Sequence, residues 1–177
     1  MLKRLFVPDR YLAGYALLSP DMLKQRGIHA LLLDIDNTLV TYDDPVPTEE
    51  VASWLRSMET AGISVAFVSN NHAERVRTFA LPLSLPCFPD AGKPSRKKMK
   101  EALDTLGVSP DHAAAMGDQI LTDVLAAKRL GLYTLLVPPI RDKKTLFFRF
   151  KRWLEKPIVK RLTLETSDSL SMAKEGD

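Results

Sequence analysis

Five short apolar runs, each closing on polar residues and separated from the next by a helix-length segment, constrain this chain more tightly than any other feature. They lie at residues 30–35, 63–68, 87–88, 113–116 and 133–137. Apolar runs this short read as strands buried on both faces, and their alternation with helices is the pattern of a parallel sheet covered on two sides. The helices carry their own signals. Thr48 can cap the first, Glu49 and Glu50 stand in its first turn, Val51, Trp54, Leu55 and Met58 form its apolar stripe, and Gly62 ends it. Others are predicted around 74–79, over 95–106 with Met99, Ala102, Leu103 and Leu106 inward, and over 122–130. The expected fold is α/β, a three-layer arrangement around a central, mainly parallel five-stranded sheet.

At 177 residues the chain fills one core with appendages. The core is assigned to residues 29–140, after a lead-in at 1–28 that packs on it. A basic amphipathic segment at 141–164 and a flexible tail at 165–177 follow. The single Cys87 excludes a disulfide framework within the chain and a cysteine zinc site, and His29, His72 and His112 show no zinc-ligand spacing. Hydrophobic residues at 45% and charged residues at 27% exclude a largely disordered chain. No run approaches the roughly 18 apolar residues of a membrane span. Pro8, Asp9 and Arg10 interrupt any signal-peptide core near the N-terminus, so a reducing cytoplasm is the expected location.

Right-handed crossovers bring the C-terminal ends of parallel strands to one sheet edge, where open α/β sheets build their sites. Four polar clusters would meet there: Asp34 to Thr38, Ser69 to Asn71, Gly92 to Pro94, and Gly117 to Asp123. An isolated Asp-x-Asp such as Asp34 and Asp36 reads readily as a turn. Burying two like charges so close needs a cation or a shared proton to offset it, and Asp118 and Asp123 bring more carboxylate to the same edge. Mg²⁺ takes oxygen ligands of this kind. Lys93 and Ser69 add a cation and a hydroxyl, which together with a metal would surround a phosphoryl group with donors.

In this order, each after a predicted strand, the clusters resemble the haloacid dehalogenase superfamily of aspartyl-phosphate-forming phosphatases, over about residues 30–137. The resemblance implies a Rossmann-like core and a division of roles. Asp34 would be the nucleophile, and Asp36 would protonate the leaving oxygen and then activate water. Mg²⁺ would be held by Asp34, the Asp36 carbonyl and Asp118, with Asp123 supporting the metal shell. Ser69 and the Asn70 backbone would bind phosphate oxygens, Lys93 would neutralise them, and Thr38 would orient Asp36. Dehalogenase members lack the second Asp and ion-pumping ATPases replace it, so Asp36 favours a phosphatase.

The spacing between clusters leaves no room for a cap domain, and an open site suits a bulky substrate or a lid from a neighbouring subunit in an oligomer. The whole chain, including Pro8, Asp9, Tyr11, Gly27 and Ile28, resembles the YqeG-type branch, similar to phosphatases of phosphatidylglycerophosphate. A membrane lipid is thus one candidate substrate; a soluble phosphorylated metabolite or a nucleic-acid end is another, and a non-catalytic binding protein on the same fold is a third reading. Residues 141–161 hold nine Lys or Arg against Asp142 and Glu155, a net charge of +7. There Leu146, Phe147, Phe150, Trp153 and Leu154 share a helical face, with Lys143, Lys144, Arg149, Lys151 and Arg152 around much of the remainder. Such a helix, over about 143–161, suits peripheral contact with an anionic membrane at its inner face. It suits equally a helix that packs its aromatic stripe on the sheet. No interleaved aromatic and basic platform beyond it favours nucleic acid.

Overall fold

The computed structural model describes residues 2–141 and 146–167. Its strands are β1 (Arg10–Leu12), β2 (Ala30–Leu33), β3 (Ser64–Val68), β4 (Cys87–Phe88), β5 (Ala113–Gly117), β6 (Tyr133–Leu136) and β7 (Leu164–Glu165). They form one sheet in the order β4-β3-β2-β5-β6-β1-β7, with every pairing parallel. The expected five strands are therefore seven. The two additional ones, β1 and β7, are three and two residues long, too short to display a period, and they carry Arg10 and Glu165 rather than an apolar run.

The helices are α1 (Pro20–Lys24), α2 (Glu49–Thr60), α3 (Ala73–Ala80), α4 (Lys97–Leu106), α5 (Leu125–Lys128) and α6 (Leu146–Val159). Thr48 caps α2, its hydroxyl accepting from Val51 N at 3.3 Å. The segment expected as one helix over 122–130 instead opens with a π-helical turn, Ile120–Val124, before α5. Alternation along the strands sorts the core into two layers. Leu31, Leu33, Val65, Phe67 and Met116 face α2 and α3, where Leu55, Met58, Val76 and Phe79 meet them. Ala30, Leu32, Ala66, Ala113 and Ala115 face the other way, toward Met99, Ala102 and Leu103 of α4 and Ala126 and Ala127 of α5. Alanines on both sides of this second interface let helix and sheet approach closely. Each large side chain removed from water contributes about 1.5–3 kcal/mol.

Helix α6 packs on the core through Ile158 and Val159, beside Ile120, Val124 and Leu136. Phe150, Trp153 and Leu154 remain 56%, 65% and 42% exposed, so these three do not pack on the sheet as the second reading of the helix expects. Lys143, Lys144, the side chains of Leu146 and Phe147, and the tail from 168 to 177 lie outside the described residues.

From β2 the chain builds toward β3 and β4 on one side, whereas β5 and β6 extend the other side. The order reverses between β2 and β5, and a crevice at such a reversal is where open α/β sheets bind ligands. The lead-in is fixed to the far side of the sheet by Asp9. Its Oδ2 accepts from Thr134 N at 2.7 Å and Thr134 Oγ1 at 2.8 Å, and its Oδ1 pairs with Lys128 Nζ at 2.6 Å. Partial burial alone would raise the Asp9 pKa, but the bonds from Lys128 and Thr134 outweigh it and hold the carboxyl below its ordinary value of 3.8. A depressed folded pKa contributes stability above the unfolded value and loses it as pH falls through the folded one. Asp9→Ala should thus cost on the order of 2 kcal/mol in urea unfolding at pH 7. The gap to the unsubstituted protein should narrow below about pH 4, the ordinary carboxylate range; a constant gap across pH would refute this account.

Candidate active site

Asp34 follows β2 directly, and its backbone N–H still donates to Met116 O at 3.0 Å, so the residue sits where β2 and β5 part. The chain then turns tightly. Leu39 N donates to Ile35 O at 2.9 Å, and Asn37 adopts φ 68°, a left-handed conformation that Asn tolerates better than most residues. This turn returns Thr38 over Asp34, and the Thr38 hydroxyl donates to Asp34 Oδ2 at 3.1 Å. The resemblance implies that Thr38 orients Asp36; here its hydrogen bond goes to Asp34, four residues back, because the turn closes between those two positions.

Lys93, after β4, is the hub. Its ammonium donates to Asp34 Oδ1 at 2.7 Å and Val68 O at 2.8 Å. It also lies 2.6 Å from Asp123 Oδ1, an ion contact whose angle falls outside hydrogen-bond geometry. The Lys93 backbone is clasped by Asn70, which accepts from Lys93 N at 2.7 Å and donates to Lys93 O at 3.2 Å. The buried Ser69 hydroxyl accepts from Asn71 N at 3.1 Å, which shapes the end of β3.

Asp118 and Asp123 come from the π-helical loop after β5. Asp123 folds back so that Oδ2 accepts from Gln119 N at 3.1 Å. Gly117 makes this approach feasible: a Cβ there would stand 2.4 Å from Asp123 Cγ. Asp34, Asp118 and Asp123 each present a carboxylate oxygen within 4.8 Å of the others. Burial pushes the Asp34 carboxyl up to about 6, with Lys93 opposing and Asp123 adding to the rise. Burial likewise raises Asp118 to about 8, against the pull of Arg152. Lys93 is held protonated, since Asp123 and Asp34 outweigh the burial that disfavours its charge. The crevice therefore holds more buried negative charge than its lysine offsets, and three hard oxygen donors in reach of one point fit a divalent cation.

The side chain of Asp36 stands outside that trio. Its Oδ1 accepts from Arg75 Nη2 at 3.0 Å and its Oδ2 from Asn71 Nδ2 at 3.1 Å, fixing it on the α3 side of the opening. The pocket of about 320 Å³ here is lined by Asp34, Asp36, Ser69, Lys93, Asp123 and, from the mouth, Tyr42 and Lys151. The phenol of Tyr42 is raised by burial and by Asp118, Asp34 and Asp36, which keeps it a hydroxyl donor. All eight residues singled out in the sequence meet around this crevice. Sequence reasoning placed Asn71 in the second cluster without a role, and it missed Arg75, Tyr42 and Arg152 as parts of the site. Asn71 adjoined a chosen pair and was open to inference; Arg75 and Arg152 stand 39 and 34 residues from their partners and carried no local signal.

The haloacid dehalogenase-like hydrolase family model matches residues 14–131. The chain belongs to this family. A curated relative described as "Probable phosphatase YqeG", from Bacillus subtilis (strain 168), is 36% identical over 162 residues, 92% of this chain and 94% of that protein. The chain is thus a member of the YqeG-type branch. Solved structures with the same fold include the cobalt-bound deoxy-D-mannose-octulosonate 8-phosphate phosphatase YrbI of Haemophilus influenzae, with TM-score 0.52 and 15% identity over 72% of this chain and 77% of that one. Another is the 3-deoxy-D-manno-octulosonate 8-phosphate phosphatase of Moraxella catarrhalis in complex with magnesium, phosphate and a KDO molecule, at TM-score 0.51 and 16% identity over 65% and 72%.

Because any side chain at 117 collides with Asp123, Gly117→Ala should cost about 1–3 kcal/mol in thermal unfolding. In the folded fraction it should also weaken divalent-cation binding by at least about tenfold, as misplacing a ligand's support does. Wild-type cation affinity in this variant would show that Asp123 has no part in the cation centre.

Proposed function

We propose that the chain is a Mg²⁺-dependent phosphomonoester hydrolase working through an aspartyl phosphate on Asp34, with phosphatidylglycerophosphate as its candidate substrate. The observation that carries the reaction type is the Asp34 carboxylate, nearly buried between the Lys93 ammonium and the carboxylates of Asp118 and Asp123. A bound Mg²⁺, held by Asp34, the Asp36 carbonyl and Asp118 with Asp123 in support, would neutralise charge on the phosphoryl oxygens.

The residues then divide the work. Lys93 and the Ser69 and Asn70 end of β3 receive the phosphoryl oxygens. An Asp34 oxygen attacks phosphorus as the bond to the leaving oxygen breaks, and Asp36 gives that oxygen a proton. Asp36 next takes a proton from water, whose oxygen attacks phosphorus. The bond from phosphorus to Asp34 breaks, returning the carboxylate and releasing inorganic phosphate. A positioned acid and base contributes about 10²–10⁴ in rate. Arg75 and Asn71 hold the Asp36 side chain beside the crevice, and the guanidinium pairs with the carboxylate that takes the proton from water.

Three observations support a membrane lipid. Among the described residues no cap covers the crevice, so a bilayer-embedded head group could reach it. Helix α6 also presents Phe150, Trp153 and Leu154 to solvent among the exposed cations Arg149, Lys156, Lys160 and Arg161, which suits an anionic lipid surface. A cavity of about 810 Å³ beside α6, lined by Tyr11, Leu136, Val137, Pro138 and Trp153, offers apolar surface next to Asp118. Among the described residues no helix is long and apolar enough to cross a membrane, so contact would be peripheral.

Asp34→Asn should abolish Mg²⁺-dependent hydrolysis of a chromogenic phosphomonoester, Asp36→Ala should slow it by about 10²–10⁴, and EDTA should silence the unsubstituted protein until Mg²⁺ is restored. Turnover by Asp34→Asn would end the nucleophile assignment. Phosphatidylglycerophosphate in anionic vesicles should be hydrolysed with a higher kcat/KM than soluble phosphomonoesters; the reverse order would point to a soluble metabolite.

A further inference from the structure

The loop that carries Asp118 and Asp123 is held from outside by α6. Arg152 spans Asp118 twice: Nη2 donates to Asp118 Oδ2, and Nη1 donates to the Asp118 backbone oxygen at 2.6 Å. Glu155, one helical turn on and 1% exposed, accepts from Leu121 N at 2.9 Å through Oε1 and from Arg152 Nη1 at 3.2 Å through Oε2. The loop backbone between the two aspartates is thus gripped at Asp118 and at Leu121 by two side chains that also grip each other. A buried carboxylate that neither faces the crevice nor belongs to the acidic trio has no role in the chemistry proposed above. Its position is explained by the N–H it satisfies.

We propose that α6 is a structural part of the cation centre, with Arg152 and Glu155 as positioning residues that set the Asp118 carboxylate and the turn leading to Asp123. The inference rests on reading Asp34, Asp118 and Asp123 as a divalent-cation centre, and on nothing about the later chemical steps. Arg152 donates to Asp118 Oδ2, and Gln119 Nε2 lies 3.5 Å from Asp118 Oδ1. Outer-sphere partners of this kind orient metal ligands, and their loss costs about 10–100-fold in metal affinity or activity.

Electrostatics alone predicts the opposite sign, which makes the inference sharp. A guanidinium beside a metal-binding carboxylate repels a divalent cation, so removing it would tighten binding if charge were all that mattered. Mn²⁺ binding to the full chain, followed by electron paramagnetic resonance of the free ion, reads this without any turnover. Arg152→Ala and Glu155→Ala should each weaken Mn²⁺ binding by about 10–100-fold. Arg152→Lys keeps the charge but cannot span both acceptors, so it should weaken binding too, by a smaller factor. Should Arg152→Ala fail to fold, the lysine variant and its melting temperature carry the test. Arg56→Ala, which removes an exposed guanidinium remote from the crevice, should leave the affinity unchanged. Unchanged or tighter Mn²⁺ binding in folded Arg152 variants would overturn the positioning role while leaving the cation centre intact. No Mn²⁺ binding by the unsubstituted chain would overturn the cation centre and this inference with it.

Discussion

Everything at the crevice depends on one buried ammonium. Lys93 is almost wholly removed from solvent, and it contacts the residue that follows β2, the carbonyl that ends β3 and the loop after β5. Burying an unpaired charge costs several kcal/mol, so this lysine is tolerable only while those partners surround it. The converse also holds, because Asp34 and Asp123 lie close enough to repel each other without it. Three loops far apart in sequence are thereby locked to one point. Lys93 and, from α6, Arg152 set two positive charges against three carboxylates, and the remaining excess is what a divalent cation would relieve. The centre is electrostatically unfinished by construction, a departure from local consistency of the kind expected at functional sites.

The backbone around the lysine explains why the carboxylates can come so close. Gly117 lets Asp123 fold over the end of β5, and the π-helical turn supplies the additional residue that aims Asp123 inward. Asn37 in its left-handed conformation reverses the chain after Asp36, so that one turn delivers the nucleophile candidate and its hydroxyl partner Thr38. On the layer beneath, alanines on β2, β5 and α5 let the helix approach the sheet closely.

Much of this was legible in the sequence because its signals were local. Five of the strands were visible as apolar runs, and the polar ends of four of them identified the residues of the crevice. The Thr48 cap was likewise readable from a hydroxyl placed before two glutamates. What was not legible came from pairs distant in sequence. β1 and β7 are too short to carry a period and exist because β6 has an open edge and because Arg10 meets Glu165. The π-turn has no distinguishing composition. For α6 the helical pattern was plain, but which side it would bury was not. An aromatic stripe and a Glu155, Ile158, Val159 side both satisfy the helical period; the second packs on the core, where Glu155 accepts from the part-buried N–H of Leu121.

That choice bears on how a site without a cap can work. A phosphoryl transfer centre benefits from exclusion of water, which strengthens the interactions of fixed charges with the transferred group. Among the described residues no inserted domain closes the crevice, and its wall on the β5 side is α6, with Lys151 in the mouth and Arg152 against Asp118. The face of α6 turned away from the core carries Phe150 stacked on Trp153, an apolar pair held in water. Trp153 lines the cavity beside α6 that also reaches Asp118, so a surface that covered those rings would cover that cavity too. Cation site, crevice wall and exposed aromatic face are then three sides of a single helix, so displacing the helix would disturb all three together.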